Sequence, residues 1–275
     1  MDKFEQSVVD EIAQLYKKLQ IEKIEKIKTR EHAENKVDAE GRSEYARDYA
    51  RILYSSSFRR LQGKMQILGI ESTAFYRNRL THSLEVSQIA RSLARTLSWK
   101  CGKENEMYTE EELYLLDAAA LAHDIGHPAF GHKGERVLDE IAKLYGHRFE
   151  GNAQNFRVLR KLDRHGSSKE GLNLTYRTLL AINKYNFEEK SESDGSHKQF
   201  MYHEDFEFLN KFREENDLNE RTLDVQIIEI ADDIAYAVHD LEDGLSQGMF
   251  TLDELCHEIV NEEKKKKGIS TEKKQ

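Results

Sequence analysis

Apolar residues along this chain recur three and four positions apart far more often than two apart, and that spacing predicts helices. In SLEVSQIARSLARTL, Leu84, Ile89, Leu93 and Leu97 fall near the 3.6-residue period. In EELYLLDAAALAHD, Leu113, Leu116, Ala120 and Leu121 do the same. In LDVQIIEIADDIAYAVHDLEDGL, Ile227, Ile230, Ile234, Ala237, Val238 and Leu241 form one broad apolar face. Alternating apolar and polar runs are few, and Pro128 is the only proline. The expected fold class is all-α, a helical bundle.

Three stretches interrupt the periodicity. WKCGKENEMYTEE (99–111) is polar and ends near Thr109, which forms a capping box with Glu112. NFEEKSESDGSHK (186–198) reads as a charged, Ser-rich linker or surface insertion. NEEKKKKGISTEKKQ, at the end, has no apolar period and reads as a disordered tail. The expected organisation is a polar arm or helix over 1–40, one helical domain over 41–255 and a charged tail over 256–275. No internal repeat is visible.

Composition narrows the class. At 38% hydrophobic and 34% charged the chain reads as soluble and globular. No apolar run approaches the ~20 residues of a membrane span. The first residues, MDKFEQSVVDEIAQ, lack the apolar core of a secretory signal. Cys101 and Cys256 lie far apart and in no metal-type spacing, so they read as thiols of a reducing cytoplasm. A net charge of -9 argues against a general nucleic-acid coat protein. Locally the balance reverses. Between Ser55 and His82, Arg59, Arg60, Lys64, Arg77 and Arg79 face one acidic residue, Glu71. That patch suits a small anionic ligand such as a nucleotide, or is a chance cluster of solvated charges.

The stretch with the densest chemistry is HDIGHPAFGH, 123–132, which gathers three histidines, an aspartate, two glycines and the proline. Packing alone rarely collects these residues. Gly126 and Pro128 are stop signals, so His123 and Asp124 are expected in the last turn of the preceding helix. His123 and His127 stand four apart, but the Asp, Gly and Pro rule out the zincin H-E-x-x-H pattern. A His-Asp pair supplies only two ligands. His82, in RLTHSLEVS, is one candidate partner, although a lone histidine at a helix start is often a cap or surface residue. ADDIAYAVHDLED offers Asp232, Tyr236 and Asp240, spaced by four along one helical face. A carboxylate on an otherwise apolar face is costly to bury unless paired or metal-bound. His82, His123, Asp124 and Asp232 would make a mixed nitrogen and oxygen site for Mn, Fe, Mg, Co or Ni.

These residues resemble a known family. H…HD…D is the pattern of the HD phosphohydrolase superfamily. SSSFRRLQGKMQI, RNRLTHSLEVSQIAR, LAHDIGHPAFGHKGE, FEGNAQNFRVL, LTYRTLLA and ADDIAYAVHDLED, in this order, resemble its dGTPase (deoxyguanosinetriphosphate triphosphohydrolase) branch. The resemblance runs from about Arg42 to Asp243 and implies an HD-domain helical bundle. It implies hydrolysis of a deoxynucleoside triphosphate to deoxynucleoside and tripolyphosphate, with Mg2+, Mn2+ or another divalent metal as cofactor. By resemblance His82, His123, Asp124 and Asp232 are the metal ligands. Asp232 is favoured over Asp233 because the family's following Tyr and Asp then fall at Tyr236 and Asp240. His132 and Glu135 match the catalytic pair, with His132 the proton donor and Glu135 its orienting partner. Arg79 and His127 match phosphate contacts, with Lys64 a further candidate, and Gln62, Tyr236 and Asp240 match sugar, base or phosphate contacts.

Family members are substantially longer and oligomeric, with single-stranded DNA binding known among them, which the charge here does not support. The absent half contributes to the substrate pocket and the oligomer interface, so exposed apolar helix faces are expected. The alternatives are an HD phosphohydrolase acting on another nucleotide phosphoester, or a catalytically impaired protein that binds a nucleotide or a partner.

Overall fold

Side-chain caps start most of the helices, and the caps fix where each helix begins. A computed structural model describes residues 6–14, 16, 26–34, 41–64, 78–101, 107–164, 170–189, 199–218 and 221–266, the last four by backbone alone. Ser43 caps α1 (Glu44–Leu53), Ser55 caps α2 (Ser56–Arg60) and Asn78 caps α3 (Arg79–Lys100). Thr109 and Glu112 form the expected reciprocal box at the start of α4 (Glu110–Ala122). There follow α5 (Gly131–Lys143), α6 (Gly151–Arg157), which runs on into a π-helical turn over Val158–Leu162, and α7 (Tyr176–Ile182). The last are α8 (His203–Glu215), α9 (Leu223–Ser246) and α10 (Leu252–Lys266). Among the described residues there is no strand; isolated bridges join Arg30 to Thr175 and Glu188 to Met201. The fold class is all-α, as the periodicity predicts.

The chain forms two compact units, 1–232 and 233–275, with the division inside α9. In the first, α4 is the central element, packed against α1, α3 and α7. Leu113, Leu116, Ala120 and Leu121 are all buried, as expected, but so is nearly the whole circumference from Glu112 to Ala122. A helix apolar on every side is a core helix. Val9, Ala13 and Tyr16 are also buried, so helical residues 6–14 and 16 contribute to the core.

Two faces differ from the periodicity. On α3 the buried positions are Arg79, His82, Ser83, Val86, Ser87, Ala90 and Ala94, whereas Leu84 is exposed. Small residues win that side because they let α4 approach closely. On α9 the first unit buries Asp224, Val225, Ile227, Ile228 and Ala231, and Ile230 is exposed. Rotation of α9 is set by Asp224. The Arg177 guanidinium, 1% exposed, donates through Nε to Asp224 Oδ2 at 2.9 Å and through Nη2 to Oδ1 at 3.1 Å. Its Nη1 pairs with Glu112 Oε1. Tyr16 donates to Glu112 Oε2 at 2.7 Å and Tyr108 to Asp224 Oδ1 at 2.8 Å, so each carboxylate has further partners.

In the second unit the charged tail expected from 256 lies inside α10 as far as Lys266. Thr251 starts this helix with another box: its amide donates to Glu254 Oε2 at 2.8 Å, and its hydroxyl accepts from the Glu254 amide at 3.2 Å. The expected linker falls largely outside the described residues, from 190 to 198, as do 267–275 of the tail.

Breaking a buried charge network by removing one partner costs about 3–5 kcal/mol. Arg177→Met is expected to lower urea stability by that much at pH 7. Burial alone would raise the Glu112 carboxyl, but Arg177 and Tyr16 hold it below its usual value. Its contribution is therefore present above the unfolded value of 4.5 and lost as the pH falls. The gap between variant and parent should narrow in urea titrations below that pH.

Candidate metal centre

α4 ends at Ala122, and His123 is its C-cap, with φ −59° and ψ −28°. His123 and Asp124 thus sit one step past the helix rather than in its last turn, on a tight turn closed by hydrogen bonds from Ile125 N to Ala122 O and from His127 N to Asp124 O. The turn presents both side chains in one direction. His123 Nδ1 faces Ala120 O at 2.6 Å, and the ring's other nitrogen, Nε2, is buried without a hydrogen-bond partner. That is how a metal-ligating histidine is oriented: a carbonyl fixes the tautomer and Nε2 is left for the ion.

His82 lies in the first turn of α3 and is 0% exposed, so it is neither a cap nor a surface residue. Its Nε2 is 2.8 Å from Asp232 Oδ1, and the same oxygen is 3.5 Å from His123 Nε2. His123 Nε2 is 3.8 Å from Asp124 Oδ2. His82, His123 and Asp124 offer donor atoms all within 4.8 Å of one another. Four side chains from α3, the HD turn and α9 therefore converge. Asp232 is the aspartate of the pair at the cluster, and Asp233 is exposed.

Two imidazoles and two carboxylates in one buried cluster fit a divalent cation of borderline or hard character. Electrostatics point the same way. Burial alone would push His123 down, yet Asp124 and Asp232 lift it to about 9. Burial would raise Asp124, but His123 and Arg79 hold it below the usual carboxylate range. Burial opposes Asp232 too, and its contacts with His123 and His82 hold it low. The site carries an excess of negative charge that favours any cation, a proton or a metal.

Arg79 is 4% exposed and pairs with Asp124 Oδ2, so in this structure its cation is engaged by a metal-ligand candidate. Lys64 differs from its expected phosphate role: Nζ donates to Ile125 O at 3.1 Å and His127 O at 2.7 Å, tying down the HD loop. His127 Nδ1 is 3.8 Å from Asp124 Oδ1, and its Nε2 is buried with no hydrogen-bond partner. Burial, aided by Arg79 and against Asp124, pushes His127 down to about 4. At neutral pH it is an uncharged donor and adds no positive charge for a phosphate.

His132 begins the next helix and its ring lies 5.7 Å from that of His127. Its Nδ1 is 3.1 Å from Glu135 Oε2, and its side chain is 83% exposed. The expected pair is thus formed and open to a ligand. Phe130, before the helix, takes φ +66°, a left-handed conformation rare for a bulky residue. Gln62 is exposed on the turn Leu61–Gly63, and among the described residues no hydrogen bond joins it to the cluster. Tyr236 and Asp240 lie farther along α9, in the second unit. Arg59 and Arg60 are exposed, while Arg77 and Glu71 fall outside the described residues.

Sequence reasoning gave no role to Asn155 of α6, which is 2% exposed and contacts the HD turn, nor to the Gly151 amide, which donates to Glu135 Oε1 at 2.8 Å. The stretch around them, EGNAQNFRVL, is polar at most positions up to Asn155 and carries no local signal for either contact.

An all-α domain in which a His-Asp turn meets a histidine and an aspartate from two other helices defines an HD-type site. The family model described as HD domain matches residues 79–237, and the chain belongs to that family. It is 45% identical over 257 residues to a deoxyguanosinetriphosphate triphosphohydrolase-like protein 2 of Vibrio cholerae, covering 93% of this chain and 60% of the relative. It is 38% identical to a deoxyguanosinetriphosphate triphosphohydrolase-like protein of Shewanella oneidensis, covering 84% and 60%. A deoxyguanosinetriphosphate triphosphohydrolase-like protein 2 of Deinococcus radiodurans is 40% identical, covering 74% and 54%. The chain therefore spans three-fifths or less of these curated relatives. No helix among the described residues is long and apolar enough to cross a membrane.

Titration with Mn2+, followed by the EPR signal of the free ion, should separate ligands from their neighbours. Partners in the outer shell of a metal typically cost 10–100-fold in affinity, so direct ligands should cost at least about tenfold. His123→Ala and Asp232→Ala are expected to show that loss, and His132→Ala a change of less than about twofold.

Proposed function

We propose that this chain is a divalent-metal-dependent phosphohydrolase that converts a deoxynucleoside triphosphate and water into deoxynucleoside and tripolyphosphate, with dGTP preferred or several bases accepted. Convergence of His82, His123, Asp124 and Asp232, together with the His132 ring 5.7 Å from that of His127, carries this reading. Mg2+ and Mn2+ fit the mixed donor set, held by these four residues. Such an ion supplies Lewis-acid polarisation of a phosphoryl oxygen and acidifies a water at neutral pH.

The remaining work falls to the protein's side chains. Water attacks the α-phosphorus, the bond from that phosphorus to the 5′-oxygen breaks, and negative charge develops on the leaving oxygen. His132 donates the proton there, its ring held through Nδ1 by Glu135. Glu135 is itself fixed by the Gly151 amide, so the ring has one orientation to offer. His127 Nε2 donates one uncharged hydrogen bond to a phosphate oxygen, and Arg79, which pairs with Asp124 here, would turn to the phosphates if that carboxylate were shared with a bound cation. The names of the relatives support the triphosphate as substrate, and the position of His132 next to His127 supports an acid at the 5′ side.

The test is product analysis with each of the four deoxynucleoside triphosphates in Mg2+ and in Mn2+. Deoxynucleoside plus tripolyphosphate is the expected pair, absent in His123→Ala with Asp124→Ala. Release of orthophosphate or pyrophosphate, or turnover of monophosphates alone, would replace this reading with another phosphoester. A positioned general acid contributes about 10²–10⁴-fold. His132→Ala should lower kcat by that factor while leaving Mn2+ affinity unchanged.

A further inference from the structure

The HD turn closes two hydrogen bonds of its own, from Ile125 N to Ala122 O and from His127 N to Asp124 O, and four further peptide groups find partners elsewhere in the protein. Lys64 satisfies the Ile125 and His127 carbonyls. The other two groups, the His123 carbonyl and the Gly126 amide, go to a single side chain. Asn155 Nδ2 donates to His123 O at 3.0 Å, and Asn155 Oδ1 accepts from Gly126 N at 3.1 Å. Both ends of one carboxamide therefore close the turn that carries two metal-ligand candidates.

The contact is close as well as polar. A Cβ on Gly126 would lie 2.1 Å from Asn155 N and 2.6 Å from Gly151 O, so only glycine lets the turn seat on α6. The same helix reaches the other half of the site. Gly151 N donates to Glu135 Oε1, and Glu135 Oε2 holds His132. One short helix touches the metal turn with its middle and the His132–Glu135 pair with its first residue. Buried carboxamides are costly to leave unmatched, and this one has both groups matched to the turn.

We propose that Asn155 is a positioning residue: its carboxamide clamps the His123–Gly126 turn onto α6 and so sets the metal ligands in register with the His132–Glu135 pair. The proposal rests on the metal-centre reading given above. Asn155 touches no ligating atom and acts through the His123 main chain. The shape-preserving change is Asn155→Asp, which keeps the acceptor for Gly126 and sets a carboxylate oxygen against the His123 carbonyl. Asn155→Ser shortens the side chain and releases both contacts.

The parent chain, Asn155→Asp, Asn155→Ser and Phe156→Leu are compared in three measurements: Mn2+ affinity from free-ion EPR, thermal melting without metal, and amide exchange of the 123–127 segment by mass spectrometry. Phe156, 2% exposed, is the neighbouring core residue of the same helix and reports simple loss of packing. Both Asn155 variants are expected to bind Mn2+ about 10–100-fold more weakly, the range for partners that orient a metal ligand. Exchange at 123–127 should rise in both. Phe156→Leu should melt lower yet keep Mn2+ affinity within about threefold. Asn155 variants that bind Mn2+ like the parent would overturn the proposal while leaving the metal centre intact. So would a Phe156→Leu loss as large as theirs, which would mark the effect as loss of folding. No Mn2+ binding by the parent would sink the metal centre itself, and the proposal with it.

Discussion

Arg177, a guanidinium shut away from water, is the constraint on which the site depends. It joins Glu112 at the start of α4 to Asp224 near the start of α9. Those two helices deliver opposite sides of the metal cluster. α4 runs from Glu112 to the turn with His123 and Asp124, and α9 reaches Asp232 eight residues after Asp224. At ~1.5 Å per residue, that step along α9 is about 12 Å. A helix is stiff over such a span, so pinning its first turn aims the carboxylate two turns later. The desolvation of three charges is offset because each has several partners, including Tyr16 and Tyr108.

Above that scaffold the chemistry divides by charge. Around His82, His123, Asp124 and Asp232 the field is negative enough to lift His123 to about 9. One residue triplet away, burial keeps His127 uncharged. Cationic groups near the loop are already engaged, Arg79 by Asp124 and Lys64 by two carbonyls. His132, near the head of its helix, is exposed and paired with Glu135.

Much of this was legible in the sequence, and the rest was not for identifiable reasons. The Thr109 box, the burial of Leu113, Leu116, Ala120 and Leu121, and the end of α4 at the His-Asp pair follow from local signals. The buried face of α3 does not, because small residues and a histidine face inward and Leu84 faces out. Hydrophobicity ranks side chains, but close helix approach ranks them by size. Rotation of α9 was equally hidden, since Asp224 is buried only by virtue of Arg177, 47 residues earlier. The Thr251 box was present in the sequence as T-x-x-E but masked by the lysines that follow it. Long-range polar partners such as Asn155 leave almost no local trace.

The central claim is that His82 and His123 place two imidazole nitrogens on one divalent ion. Pulsed EPR of Mn2+ bound to the full chain tests it directly, because ligating imidazole nitrogens leave hyperfine couplings that water and carboxylate do not. This account predicts couplings from two nitrogens, falling to one in His82→Ala. A bound ion with no nitrogen coupling would contradict it and place the metal elsewhere on the protein.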